Sequence, residues 1–114
     1  MHKVPKNLRL LILQDGPYWV AQCLEYDIAV ASRNLSDLHK EFCRSLADHI
    51  ILAIEEGKKP LAGIRQAPKR FHDMYKKAKT ELPRPVVVQE DLPRAPHFIP
   101  AIPPIAMRTP AFAA

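Results

Sequence analysis

Proline divides this chain. Eight of its 12 prolines lie beyond residue 81: Pro83, Pro85, Pro93, Pro96, Pro100, Pro103, Pro104 and Pro110. Each ring locks φ and removes a backbone donor. A helix is therefore excluded there, and polyproline II or irregular extended chain is expected. Val86-Val87-Val88 is the strand candidate in this part, an edge strand because Pro85 cannot donate to a ladder. The rest of the architecture must come from the residues before it. At 114 residues, 47% hydrophobic and 25% charged, the chain has room for one small domain and an appendage. No apolar run approaches the roughly 20 residues of a membrane span, so no membrane association is expected. Composition also excludes a multidomain enzyme and a disulfide scaffold.

The first half reads as sheet followed by helix. Leu8-Arg9-Leu10-Leu11-Ile12-Leu13 is a short apolar run that ends at Asp15-Gly16-Pro17, the pattern of a buried strand entering a tight turn. Tyr18-Trp19-Val20-Ala21-Gln22-Cys23-Leu24 returns as a second strand, and alternation puts Trp19, Ala21 and Cys23 on the core side. Glu25-Tyr26-Asp27 is a polar connection, and Ile28-Ala29-Val30-Ala31-Ser32 is a third strand. A long helix follows, capped by Asn34 or Ser36. Its apolar stripe runs through Leu35, Leu38, Phe42, Leu46, Ile50, Ala53 and Ile54. Gly57 stops it and Pro60 prevents its resumption. The expected fold class is α+β: a three-stranded antiparallel sheet covered by one long helix, then a short basic helix and a proline-rich tail. The expected organisation is residues 1–57 as the βββα domain, 58–79 as a basic loop and short helix, and 80–114 as an extended tail.

Charge is concentrated in the middle segment. The formal net charge is +5. Residues 58–79 carry Lys58, Lys59, Arg65, Lys69, Arg70, Lys76, Lys77 and Lys79 against Asp73, a local net of +7. Pro68 can open a helix here, with Phe71, Met74, Tyr75 and Ala78 on one apolar face. The eight cations are the candidate contacts for nucleic acid or an acidic partner, because phosphates are held by such charges. Sharing a face, Phe71 and Tyr75 read as packed rather than as base-stacking. The tail is apolar as well as proline-rich, with Phe98, Ile99, Ile102, Ile105, Met107 and Phe112. Residues 92–112 are accordingly expected to lie against protein surface, in the same chain or in a second copy.

Tyr18 to Ile28, followed by Asn34-Leu35-Ser36-Asp37-Leu38, resembles the HicB family, the antitoxins of HicA–HicB toxin–antitoxin pairs. In that family an aromatic–Val-Ala-x-Cys-like strand enters a short acidic turn, and a third strand leads to a capped helix. The resemblance covers about residues 8–57. It implies a partial ribonuclease-H-like fold without the catalytic carboxylates, and a protein-binding role in bacteria. The implied partners are a small protein, such as a HicA-like toxin, and a second copy of the chain. Residues 58–114 resemble neither the ribbon-helix-helix nor the helix-turn-helix domain that often completes such antitoxins.

No residue set reads as a catalytic, cofactor or metal site. His39 and Cys43 stand at i and i+4, but a structural zinc needs four ligands, so they read as a core cysteine beside a surface histidine. Cys23 and Cys43 lie on apolar faces and read as buried, inert thiols. With no signal-peptide pattern at the start, a reducing cytoplasm is expected and a disulfide is not. Glu25 and Asp27 read as a solvated turn rather than a general acid–base pair. Asp48-His49 and His72-Asp73 are adjacent, so on a helix they point about 100° apart, which does not make a dyad. No P-loop, dinucleotide fingerprint or nucleophile elbow is present. The expectation is a non-enzymatic interaction module, with a nucleic-acid-binding protein acting through residues 58–79 as the alternative.

Overall fold

The computed structural model describes residues 7–82 and 105–110. β1 (Leu8–Asp15), β2 (Tyr18–Cys23) and β3 (Ala29–Ser32) form the expected antiparallel meander. Asp15 pairs with Tyr18, leaving Gly16-Pro17 as a two-residue loop. Gly16 has φ +59°, and the ring of Pro17 fixes a negative φ after it. That combination is what a type II′ hairpin turn requires, and it matches the twist of the flanking strands.

The sheet is larger than expected. It has five strands in the order β3-β2-β1-β5-β4, so the three-stranded antiparallel expectation is corrected to a mixed sheet within the α+β class. β4 (Thr80–Leu82) is the far edge, and β5 (Ile105–Thr109) runs parallel to β1. β5 comes from the proline-rich part of the chain, where no strand was expected at these positions. The physical reason is a proline-free window between Pro104 and Pro110. Within it Ile105, Met107 and Thr109 are buried while Ala106 and Arg108 are less so. That is period two, the periodicity of a strand. The Thr109 hydroxyl donates to the Ile12 carbonyl at 2.8 Å, fastening the parallel pair. Val86–Val88, residues 92–104 and residues 111–112 lie outside the described residues.

α1 (Leu38–Glu55) packs on one face of the sheet behind a single 3₁₀ turn, Leu35–Asp37. Leu38, Phe42, Cys43, Leu46 and Ile50 meet Leu8, Leu10, Ile12, Ala21 and Cys23, with Ile105 and Met107 from β5. The apolar stripe is buried only to Ile50. Leu52 and Ile54 are exposed, because the helix outruns the sheet. The expected side-chain cap is absent: Asn34 donates from Nδ2 to Asp37 instead, at 3.2 Å. The other end forms a Schellman motif. Gly57 takes φ +72°, its N–H bonds the Ile54 carbonyl, and the Lys58 N–H bonds that of Ala53.

α2 (Lys69–Lys77) lies on the opposite face, where Leu11, Leu24, Ala67 and Tyr75 form a second, smaller cluster. The loop between the helices carries the chain from one face to the other. Leu61 is buried with the α1 cluster and Ala67 with the α2 cluster. Leu61 holds φ +64°, a left-handed conformation that costs a branched residue roughly 1–2 kcal/mol, which burial of its side chain offsets. Between those anchors the Arg65 carbonyl accepts from the Asp27 N–H at 2.7 Å, and the Ala67 N–H donates to Leu24 at 3.0 Å. β1 is thus covered on both faces, which accounts for its nearly unbroken apolar run.

Two outcomes test this packing. Phe42 is fully buried, so Phe42→Ala is expected to destabilise the protein by about 3–5 kcal/mol in urea unfolding. Deleting residues 105–114 removes a strand bonded on both sides. Loss of the cooperative unfolding transition is expected, and an unchanged transition would show that β5 is dispensable.

Candidate functional site

The sheet face that carries α2 is covered only in part. β1 presents Arg9, Leu11, Leu13 and Asp15 there, and the β1–β2 register puts Gln22, Val20 and Tyr18 opposite the last three. Ala31 and Ala29 follow on β3. α2 packs over the β1 and β5 side. Among the described residues nothing covers the β2 and β3 side: Tyr18, Ala29 and Ala31 are exposed and Val20 is half-buried, with Leu13 of β1, packed on the α2 cluster, at the margin. Arg33 lies over the Tyr18 ring, 5.6 Å from its centroid, and frames the patch with a cation.

Under α2 the charges are tightly organised. Arg9 and Arg108 approach the Tyr75 ring, with guanidinium carbons 5.7 and 4.8 Å from the centroid. Glu25 accepts from the Arg9 backbone N–H at 2.7 Å and from Arg9 Nε at 2.6 Å. Glu81 meets Arg108 at 3.4 Å. Asp27 accepts from Gln22 Nε2 at 2.9 Å. The expectation of a solvated turn at residues 25–27 is therefore corrected. Tyr26 is only 3% exposed, and the Glu25 side chain 14%. The reason is Arg9: a cation on the sheet face draws the carboxylate inward, and the wrapping loop bonds the backbone on either side of Tyr26. Both carboxylates are engaged in holding structure, which leaves neither placed as an acid–base partner of the other.

The histidines and thiols are also in structural positions. His39 is buried rather than superficial, with Nδ1 3.8 Å from Cys43 Sγ; the helix sits deeper at its start than its stripe suggested. Burial lowers its pKa. Burial pushes the Cys23 thiol up to about 11, with Glu25 adding to the rise and Arg9 opposing it. Neither cysteine is in a disulfide. His49 Nδ1 lies 2.7 Å from the Ser45 carbonyl one turn back. His72 Nε2 is buried without a hydrogen-bond partner among the described residues. Among those residues no three His, Cys, Asp or Glu side chains converge as metal ligands. No described helix is long and apolar enough to cross a membrane.

All eight candidate cations are exposed. Lys58 and Lys59 follow α1, Arg65 is on the wrapping loop, and Lys69 and Arg70 open α2. Lys76 and Lys77 close it, where positive charge suits the helix dipole, and Lys79 precedes β4. Lys58 pairs with Glu56 at 3.0 Å, and Arg70 stacks on the Phe71 ring at 4.7 Å. Lys59, Arg65, Lys69, Lys76, Lys77 and Lys79 have no carboxylate partner among the described residues. Phe71 and Tyr75 face inward, as their spacing suggests, while Met74 is exposed. Three parts of this face escape sequence reading: the Arg9–Glu25 pair, Arg108 in β5, and the bare patch. Only Ala29 and Ala31, small residues in a strand, hint at the last of these.

The thiols give a pH test. A native Cys23 that ionises at about 11 stays protonated where an unfolded thiol, with an ordinary value of 9.0, already ionises. Its contribution is complete below pH 9 and is lost as pH rises towards 11. Unfolding free energy should fall over that window, and more steeply than in Cys23→Ala. His39 has the opposite sense: its lowered pKa removes stability as pH falls below 6.5, and His39→Gln should flatten that limb. Both thiols should resist a thiol reagent at pH 8 in the native protein and react in urea.

Set against models of known families, against curated proteins and against solved structures, the chain matches none.

Proposed function

We propose that this chain is a non-catalytic, HicB-like protein-interaction module, antitoxin-like in kind, which binds a small protein partner. The observation that carries the reading is the half of the α2 face that no described residue covers: Tyr18 and Val20 beside Ala29 and Ala31, with Leu13 at the margin of the α2 cluster. Apolar surface of this sort, rimmed by charge, is what protein contacts use. Support also comes from the engaged state of Glu25, Asp27, Cys23 and His39 and from the βββα order the resemblance implies. The test is a pull-down from the native host, with and without nuclease. A retained protein that survives nuclease and is lost with Val20→Asp is expected. Retention unaffected by Val20→Asp would overturn the role of this face.

The unpaired cations favour a second reading, in which residues 58–79 contact nucleic acid. Screening confines charge effects to about 8–10 Å at physiological salt, so the exposed cations of α2 and its C-terminal flank, Lys69, Lys76, Lys77 and Lys79, act through their own surroundings rather than through the net charge. Under this reading log affinity falls linearly with log salt, with a slope of about −0.9 per phosphate contacted on duplex DNA. Replacing Lys69, Arg70, Lys76 and Lys77 by Ser should flatten that slope. No binding at roughly 50 mM salt, where such contacts are strong, would eliminate it.

A further inference from the structure

The two edges of the sheet are unlike. β4 is three residues long, preceded by Lys79, carrying Glu81 and followed in sequence by Pro83. Short length, charge and proline are the usual defences of an edge against pairing. β3, Ala-Val-Ala-Ser, is also short, but its own residues carry neither charge nor proline.

The hydrogen-bonding parity of β3 follows from two bonds. Leu24 N–H donates to Arg9, and Cys23 N–H donates to Ile28. Even residues of β2 therefore bond β1 and odd ones bond β3. With Ala21 opposite Val30 and Val20 opposite Ala31, alternation in an antiparallel ladder turns Val30 and Ser32 towards β2. Ala29 and Ala31 turn outward. Their N–H and C=O groups have no hydrogen-bond partner among the described residues, and both residues are exposed.

We propose that this edge is a self-pairing site: two copies join β3 to β3 antiparallel about a two-fold axis through Val30, making one continuous ten-stranded sheet. This rests on the protein-interaction reading and names one of its partners, a second copy. Two features favour that occupant. The outward residues are placed symmetrically about Val30, so Ala29 meets Ala31 of the second copy twice, giving four backbone hydrogen bonds with only methyl groups between them. The Asp27 N–H is already taken by the Arg65 carbonyl, so the ladder stops at the alanines. Finally, α1 packs over β2 and β3. At about 4.8 Å per strand, the two α1 helices would lie about 10 Å apart, an ordinary helix-packing distance.

The test is mass in solution over a concentration series, on the full chain. Wild type is expected to be a dimer. Ala31→Pro removes an outward N–H and leaves the β2 ladder intact, a substitution edge strands accept. It should give a monomer with unchanged circular dichroism. Ala29→Lys with Ala31→Lys sets like charges opposite one another twice and should raise the dissociation constant at least tenfold, while Ala29→Glu with Ala31→Lys sets opposite charges in the same places and should keep the dimer, an arm independent of how Ala31→Pro folds. A wild type that is monomeric throughout, or dimers undisturbed by both Ala31→Pro and the double-lysine variant, overturns the proposal. A monomer that still retains a partner protein sinks the self-pairing alone. A β3-dependent dimer with no partner supports the self-pairing and sinks the small-protein reading.

Discussion

From Leu8 to Ile12, β1 has no free face and no free edge, and the rest of the molecule is arranged to meet that condition. A strand of almost unbroken apolar sequence must be shielded from water on both sides, and its backbone groups must be bonded on both edges. β2 supplies one edge through a tight hairpin. The other is supplied by β5, far along the chain. α1 shields Leu8, Leu10 and Ile12, while α2 and Ala67 shield Leu11. Arg9 is the one charge in the run. It is accommodated because Glu25 takes both its backbone N–H and its guanidinium, and Tyr75 accepts its cation over the ring.

What could be read in advance divides along chain distance. The hairpin was legible because Gly16 and Pro17 dictate its turn within two residues. α1 was legible because its stripe repeats over four turns and Gly57 ends it. Tyr75 was placed inward by its spacing from Phe71 and Ala78. β5 was not legible. Five residues of alternation are a weak signal, and the strand exists only because Ile12 and its neighbours, 97 residues away, offer an edge to bond. The inward turn of Glu25 depends likewise on Arg9, 16 residues distant, and no local rule gives it.

The candidate site shows the same division. The eight basic residues were identifiable by type, and their exposure agrees with the polarity of their face. Which of them find carboxylate partners depends on tertiary placement. The bare patch arises from a mismatch in size. A nine-residue helix covers less of a five-stranded sheet than an 18-residue one, so among the described residues nothing covers the β2–β3 half on the α2 side. A charged α2 layer and an uncovered apolar patch therefore lie side by side on one face, and the two proposed modes of binding use adjacent surfaces.

The distance between β1 and β5 has a consequence for how the chain is made. Synthesis at about 5–20 residues per second separates Ile12 from Thr109, 97 positions on, by about 5–20 s. A hairpin closes in about 1–10 μs, so β1 and β2 are joined almost at once. For the remaining seconds one side of β1 has no strand beside it. Another chain on the same message, slightly ahead and with its own β5 already made, can fill that gap. The order of synthesis thus creates a brief opportunity for strands to be exchanged between neighbours, which ends when β5 arrives.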